Sequence, residues 1–215
     1  MGKRTWRGPH GLTISQENRK MGQVASVSMM PGAPPDGTCV AAEWCAKGCN
    51  AIRMLDFTSV APTWAVNTAL ARQDMVSYFL DVLEYVKEKR PAMFRWHVGG
   101  DILDQDYFDC MKKIANAWPS VMFLAFTKAW KDGHVVFKDI PGNLSVVVSV
   151  WPGHPLPRTR LPRAYLQSDK RLVRLRTGLW RVGERRVVAC QGTCETCQLC
   201  YHLPHLKVDV ALSDK

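Results

Sequence analysis

Four short apolar runs, separated by longer stretches, constrain this chain more than any other feature. Gln23–Met30, Met93–Val98, Val121–Phe126 and Leu144–Val150 read as strands. The last, LSVVVSV, is apolar almost throughout, as expected of a strand buried on both faces of a parallel sheet. A helix is expected from about Pro62 to Lys89, with Leu70, Val76, Phe79, Leu80, Leu83 and Val86 on its apolar face and Pro91 at its exit. A second begins after Asp104, whose carboxylate can cap it, buries Tyr107, Met111, Ile114 and Trp118, and closes at Pro119. This alternation is that of an α/β fold with right-handed crossovers, either a partial (β/α) barrel or an open parallel sheet.

The chain divides into three stretches. Residues 1–22 read as a basic, polar N-terminal extension, and 23–157 as the α/β core with a first cysteine loop. Residues 158–215 read as a basic segment followed by a cysteine-rich C-terminal cluster-binding extension. Within the last stretch RLVRLRT and RRVVA read as short strands and HLKVDVAL as a final one, after a proline-rich loop, WPGHPLPRTRLPR. With 215 residues, 47% of them hydrophobic, the chain can bury a core that needs no disulfide staples. The N-terminal residues lack a signal-peptide apolar segment, and no run is long enough to span a membrane, so the reducing cytoplasm and no membrane partner are expected.

In that compartment grouped cysteines point to metal rather than to disulfides. Cys190, Cys194, Cys197 and Cys200 fall within eleven residues, separated by polar segments, so that one loop can wrap a metal centre with four thiolates. Zinc and [4Fe–4S] clusters both use four thiolates; the consecutive short gaps favour iron–sulfur, with zinc the alternative at this site. Cys39, Cys45 and Cys49 follow the first strand in a Pro/Gly-rich loop and supply only three thiolates. Three ligands on a cubane leave one iron open, unless a histidine or Cys110 completes the set or the site is a structural zinc. Cys110, on the buried side of its helix, reads as a packed thiol.

Ligands of parallel α/β folds bind beyond the carboxyl ends of the strands. The cysteine loop follows the first strand and Gly99-Gly100-Asp101 the second, with Arg95 and His97 alternating on one of its faces. Thr127 and Lys128 follow the third strand, and Ser149 and Trp151 close the fourth. Asp101, His97, Arg95 and Lys128 are thus candidate catalytic groups. Gly99, Gly100, Asp101, Thr127 and Ser149 are candidate cofactor-binding groups.

The net charge of +10 is concentrated between Arg158 and Arg186, where ten basic residues face only Asp169 and Glu184. Such a segment attracts nucleic acid or another polyanion, or is simply a solvated basic face. Its aromatics are only Tyr165 and Trp180.

The cysteine trio and the Gly-Gly-Asp turn resemble the radical S-adenosylmethionine (SAM) superfamily, with its partial (β/α) barrel, three-cysteine loop and Gly-Gly-Glu-like motif. Here Asp101 stands where that motif has Glu. The gaps of five and three residues exceed the three and two usual there, and Asn50 follows Cys49 in place of an aromatic. Closer still, TCVAAEWCAKGCNA, FRWHVGGDI, FLAFTK and NLSVVVSV are similar to the phage gene-product-88 family over about Gln23 to His205. The resemblance implies that Cys39, Cys45 and Cys49 hold a [4Fe–4S] cluster whose open iron binds SAM, with the Gly99-Gly100-Asp101 turn on its amino group. Reduction would yield a 5′-deoxyadenosyl radical. Cys190, Cys194, Cys197 and Cys200 would hold an auxiliary cluster. It further implies an electron-donor protein as partner and, as compartment, the cytoplasm of a bacterium or phage-infected host cell. The competing expectations are an iron–sulfur or zinc protein that binds nucleic acid without catalysis, or an electron-transfer protein.

Overall fold

Residues 5–18 and 20–214 are described by the computed structural model, and eleven strands among them join in one sheet. In chain order the elements are β1 (Thr5–Arg7), β2 (Thr13–Ser15), β3 (Ala25–Val27), α1 (Ala42–Cys45), α2 (Asn50–Met54), α3 (Val60–Gln73), α4 (Met75–Lys89), β4 (Met93–Trp96), α5 (Gln105–Ala117), β5 (Met122–Thr127) and β6 (Leu144–Ser149). There follow β7 (Arg163–Leu166), β8 (Val173–Arg174), β9 (Trp180–Val182), β10 (Arg185–Ala189), α6 (Cys194–Cys197), α7 (Leu199–Leu206) and β11 (Asp209–Leu212). Strands β3, β4, β5, β6, β7, β11 and β10 lie side by side and parallel, and an antiparallel pair extends each edge, β2–β1 beside β3 and β9–β8 beside β10. The sheet is not closed: β1 and β8 end it.

Side chains alternate across the sheet and give it two different faces. Phe94, Trp96, Phe123, Ala125, Leu144 and Val146 point to one, where Tyr78, Val82 and Val86 of α4 and Tyr107, Phe108 and Met111 of α5 complete the larger core. Met93, Leu124, Val147, Ala164 and Val210 point to the other and pack on Tyr201 and Leu203 of α7. β6, with both sides of its apolar run covered, is buried on both faces as its sequence predicts.

Several elements differ from the sequence expectation for local reasons. The long helix is two, because the Asp74 carboxylate accepts the Ser77 N–H (3.0 Å) and starts α4 afresh after α3. Asp104 caps α5 as expected, accepting from the Tyr107 N–H at 2.8 Å. The strand expected over Met93–Val98 stops at Trp96, since His97 adopts a left-handed φ of +57°. β1, β2 and β7, short and flanked by turns or prolines, have too little apolar alternation to be read from the sequence.

The first two strands are tied to α4 by one buried side chain. Asp81 is fully buried, and its carboxylate accepts the Leu12 N–H (3.0 Å), the His10 N–H (3.2 Å) and a 2.7 Å hydrogen bond with His10 Nδ1. Asp81→Ala should strand the buried Leu12 donor and cost roughly 2–3 kcal/mol in urea unfolding. Asp81→Asn, which keeps an acceptor, should cost less. Equal midpoints for all three proteins would show that this tie does not hold the edge.

Candidate metal centre and adjoining cavity

The first cysteine loop leaves β3 through a tight turn. Thr38 donates its N–H to Met30 O (3.0 Å) and Cys39 donates to Gly32 O (2.8 Å). The Arg72 guanidinium of α3 grips the loop from outside, donating to the carbonyls of Pro35 and Gly37. Cys45 closes α1 and Cys49 precedes α2, so two short turns present the second and third thiols. Burial pushes the Cys39 thiol up to about 12, with the charges of Asp101 and Cys45 adding to it and Lys128 opposing it. Burial likewise raises Cys45, while the neighbouring Lys128 ammonium pulls it down and Cys49 pushes it up. These thiols are protonated without metal, and binding a metal must release their protons.

Aromatic rings brace this loop. Trp44 stacks on His154 (centroids 4.7 Å apart, 20° between planes) and leans on Trp130 at 5.4 Å, while Lys131 bonds Glu43 at 2.6 Å. Trp151 lies against Gly48, where a Cβ would sit 3.5 Å from its ring.

Gly99-Gly100-Asp101 is set by packing around it. A Cβ on Gly99 would lie 2.3 Å from the Trp64 ring, and Gly100 (φ +82°) faces Thr38. Asp101 is buried; its Oδ1 accepts from Thr127 Oγ1 (2.6 Å) and its own neighbour's N–H, Ile102 (2.8 Å), and its Oδ2 accepts from the Lys128 N–H (2.8 Å). Its N–H in turn donates to Thr38 Oγ1 at 2.8 Å. Burial raises the Asp101 carboxyl, and the Thr127 hydroxyl and Lys128 N–H work against that rise. Most of the acceptor capacity of the carboxylate is therefore spent on the protein itself.

Arg95 and His97 do not share a face, contrary to the alternation read from the sequence. The left-handed turn at His97 swings its ring to the helix side, where Nε2 lies 3.0 Å from Tyr107 Oη, which donates on to Tyr78 Oη at 2.7 Å. Burial, with Arg95 adding a smaller effect, lowers His97 to about 3, so the ring is neutral. Arg95 points to the opposite face, over Phe126 (5.1 Å) and with Nη1 3.2 Å from the Met21 sulfur; its buried Nε has no partner.

A cavity of about 260 Å³ opens on that second face, at the carboxyl edge of the strands. Cys45, Cys49, Arg95, Lys128 and Ser149 line it, five of the residues singled out from sequence. Phe126, Tyr165 and Asp214 line it too and had no signal: Tyr165 belongs to the unread β7, and Asp214 arrives with the last strand. Trp151, placed at the sheet edge from sequence, is a wall of the cavity. Thr127 and Asp101 stand behind it, bonded to each other. A larger cavity of about 540 Å³ opens at the opposite edge, where Gln23, Pro91 and Met93 lead into their strands, and takes no thiol.

The second cysteine group docks on the same face. Cys190 follows β10, its N–H donating to Ala211 O (2.8 Å); Cys194 and Cys197 bound α6, and Cys200 lies in α7 after a left-handed turn at Gln198. Ser145 Oγ donates to Cys200 O (2.7 Å), and Glu195 joins the segment to Met21 and Gln23. Burial pushes the Cys200 thiol up to about 12, reinforced by Cys190 and Cys194 and opposed by Arg95. Arg95 also opposes the burial-driven rise of Cys194. One guanidinium thus borders the cavity of the first thiol group and acts on the second.

All eight cysteines are free thiols, and Cys110 is half-buried against the helix-side core, as its position predicts. Among the described residues no three His, Cys, Asp or Glu side chains are drawn together as around a single metal ion. A tetrahedral zinc site and a [4Fe–4S] cluster both require such convergence of thiolates. The donors of both groups are soft thiols, and members of each group act on one another electrostatically. No described helix is long and apolar enough to cross a membrane.

Among protein families, the model described as gene product 88 matches residues 12–203. No curated protein and no solved structure matches the chain. The narrower of the two resemblances read from sequence is thereby supported, and the wider one gains nothing from these comparisons.

The buried histidine has a measurable consequence. A ring at about 3 in the folded chain and near 6.5 when unfolded leaves the unfolded state binding the extra proton between those values. Its contribution is intact above pH ~6.5 and is lost as pH falls, by up to about 1.4 kcal/mol per pH unit. His97→Asn, which tolerates the left-handed φ, should flatten the decline of urea stability between pH 6.5 and 5. An unchanged slope would mean that the ring is protonated in the folded protein.

Proposed function

The chain belongs to the gene product 88 family, and from that footing we propose that it is a small iron–sulfur enzyme of radical-SAM-like type. Cys39, Cys45 and Cys49 would hold a [4Fe–4S] cluster with an open iron, and Cys190, Cys194, Cys197 and Cys200 an auxiliary one. The observation that carries this reading is the cavity at the carboxyl edge of the parallel strands, into which Cys45 and Cys49 face beside Lys128, Arg95 and Ser149. When bound, a reduced cluster of this kind supplies one electron for cleavage of SAM to a 5′-deoxyadenosyl radical.

The chain's own residues prepare that site. Lys128, beside Cys45, offsets the negative charge that three thiolates bring into a half-buried loop. Arg95, Lys128 and Ser149 offer donors to the anionic end of a small ligand, and Phe126, Trp151 and Tyr165 give apolar walls that limit access of water. Asp101 acts as a positioning residue that sets Thr127 and Lys128, and not as a free ligand carboxylate. An external electron-donor protein would be required.

Anaerobic reconstitution tests the proposal. Two cubane clusters give about eight irons and eight sulfides per chain, and Cys45→Ala or Cys197→Ala should each remove about four. With SAM and dithionite, the unaltered chain should form 5′-deoxyadenosine and Cys45→Ala should not. Absence of iron, or zinc in its place, overturns the cluster assignment. Full iron with no SAM binding or cleavage overturns the enzyme and leaves a redox or structural cluster protein.

A further inference from the structure

The ten basic residues between Arg158 and Arg186 split into two sets in the fold. Arg163, Arg171 and Arg185 are consumed internally. Arg171 binds Asp169 (2.6 Å), Arg185 binds Asp209 (2.7 Å), and Arg163 donates to Pro157 O (3.0 Å). Arg158, Arg160, Lys170, Arg174, Arg176, Arg181 and Arg186 are exposed.

The exposed set includes an arrangement that folding alone does not favour. β8, β9 and β10 form an antiparallel edge in which Val173, Arg181 and Arg186 stand directly opposite one another. Residues so paired share one face of the ribbon, and like charges in that relation are destabilising. The other face carries Arg174, Trp180 and Val187, of which Val187 is buried and Trp180 packs beside it. Arg181 and Arg186 therefore lie together on the outer face, and among the described residues neither side chain has an ion-pair or hydrogen-bond partner. The loop 175–179 adds Arg176 at the tip. A charged edge strand guards against sheet-to-sheet pairing, but that needs one charge on β8, not a repelling pair on the two strands behind it.

We propose that the hairpin from Val173 to Val182, backed by Arg186, is a docking surface for duplex DNA. A two-stranded β-ribbon has the width that the roughly 12 Å major groove of B-form DNA admits, and arginines suit both its phosphates and its guanine edges. Duplex RNA closes that groove to side chains. Single strands are held largely by stacking on aromatic rings, and the ribbon's one aromatic, Trp180, is turned to the packed face with Arg174 over it at 5.9 Å. The proposal does not rest on the metal centre.

Fluorescence anisotropy with the full chain would compare a DNA duplex, the same single strand, an RNA duplex and vesicles of phosphatidylserine and phosphatidylcholine. Duplex DNA should bind tightest, with log K falling against log salt at a slope of about −3, for Arg176, Arg181 and Arg186 at about 0.9 each. Arg181→Ala with Arg186→Ala should weaken binding at least tenfold and reduce that slope by about 2. The same pair should leave thermal stability unchanged or raised, because it relieves a cross-strand repulsion. Arg176→Ala, in the exposed loop, provides the test should the double variant misfold; it should reduce the slope by about 1. Tighter binding to single strands, RNA or vesicles, binding indifferent to these arginines, or no binding at all overturns the proposal.

Discussion

A buried carboxyl group ringed by hydrogen bonds holds the working edge of this protein together. Asp101 is buried in the loop after β4, and donors from that loop and from the end of β5 close on it while its own N–H reaches Thr38 in the cysteine loop. A buried charge is tolerable only when hydrogen bonds replace the water it has lost. The carboxylate therefore forces β4, β5 and the loop after β3 into one register. Thr127 and Lys128 take their positions from it, Lys128 in turn flanks Cys45, and the cavity forms between them. The Gly-Gly pair belongs to the same joint: it admits the Trp64 ring and Thr38 where any side chain would collide.

The sheet acts as a partition between two kinds of interior. On one face aromatic and aliphatic side chains from α4 and α5 make a dry core that includes the neutral His97–Tyr107–Tyr78 chain. On the other, the thinner cover of α7 leaves room for Cys45, Cys49, Cys190, Cys194 and Cys200, three cationic side chains and a cavity. The left-handed residue at His97 makes the division, since it ends β4 and sends histidine and Arg95 to opposite sides. Polar chemistry is thereby concentrated where the sheet is least covered.

Much of the fold was legible from local pattern. The continuous apolar run of β6, the capped face of α5 and the return of a last strand are each written in a few consecutive residues, and so is the parallel alternation. The break at Asp74, the short strands β1, β2 and β7, and Phe126, Tyr165 and Asp214 in the cavity were not legible. Each depends on a partner far along the chain or on too few residues to show a period. The basic run likewise looked uniform in sequence. Asp209, which lies outside it, takes Arg185, and only pairing across β9 and β10 sets Arg181 against Arg186.

By itself, then, the sequence determined the central strands β3 to β6 and the helix α5, which edge carries polar groups, and that thiols come in groups of three and four. These follow from spacing and periodicity, which are properties of neighbours along the chain. The tertiary structure alone decided that β11 enters between β7 and β10, bringing Cys190 and the C-terminal segment beneath the same face as Cys45 and Cys49. It also decided that Arg95 lies beside both groups and His97 beside neither. The physical reason is that hydrogen-bonded strand order and the burial of charge are settled between residues tens of positions apart, where no local pattern reaches.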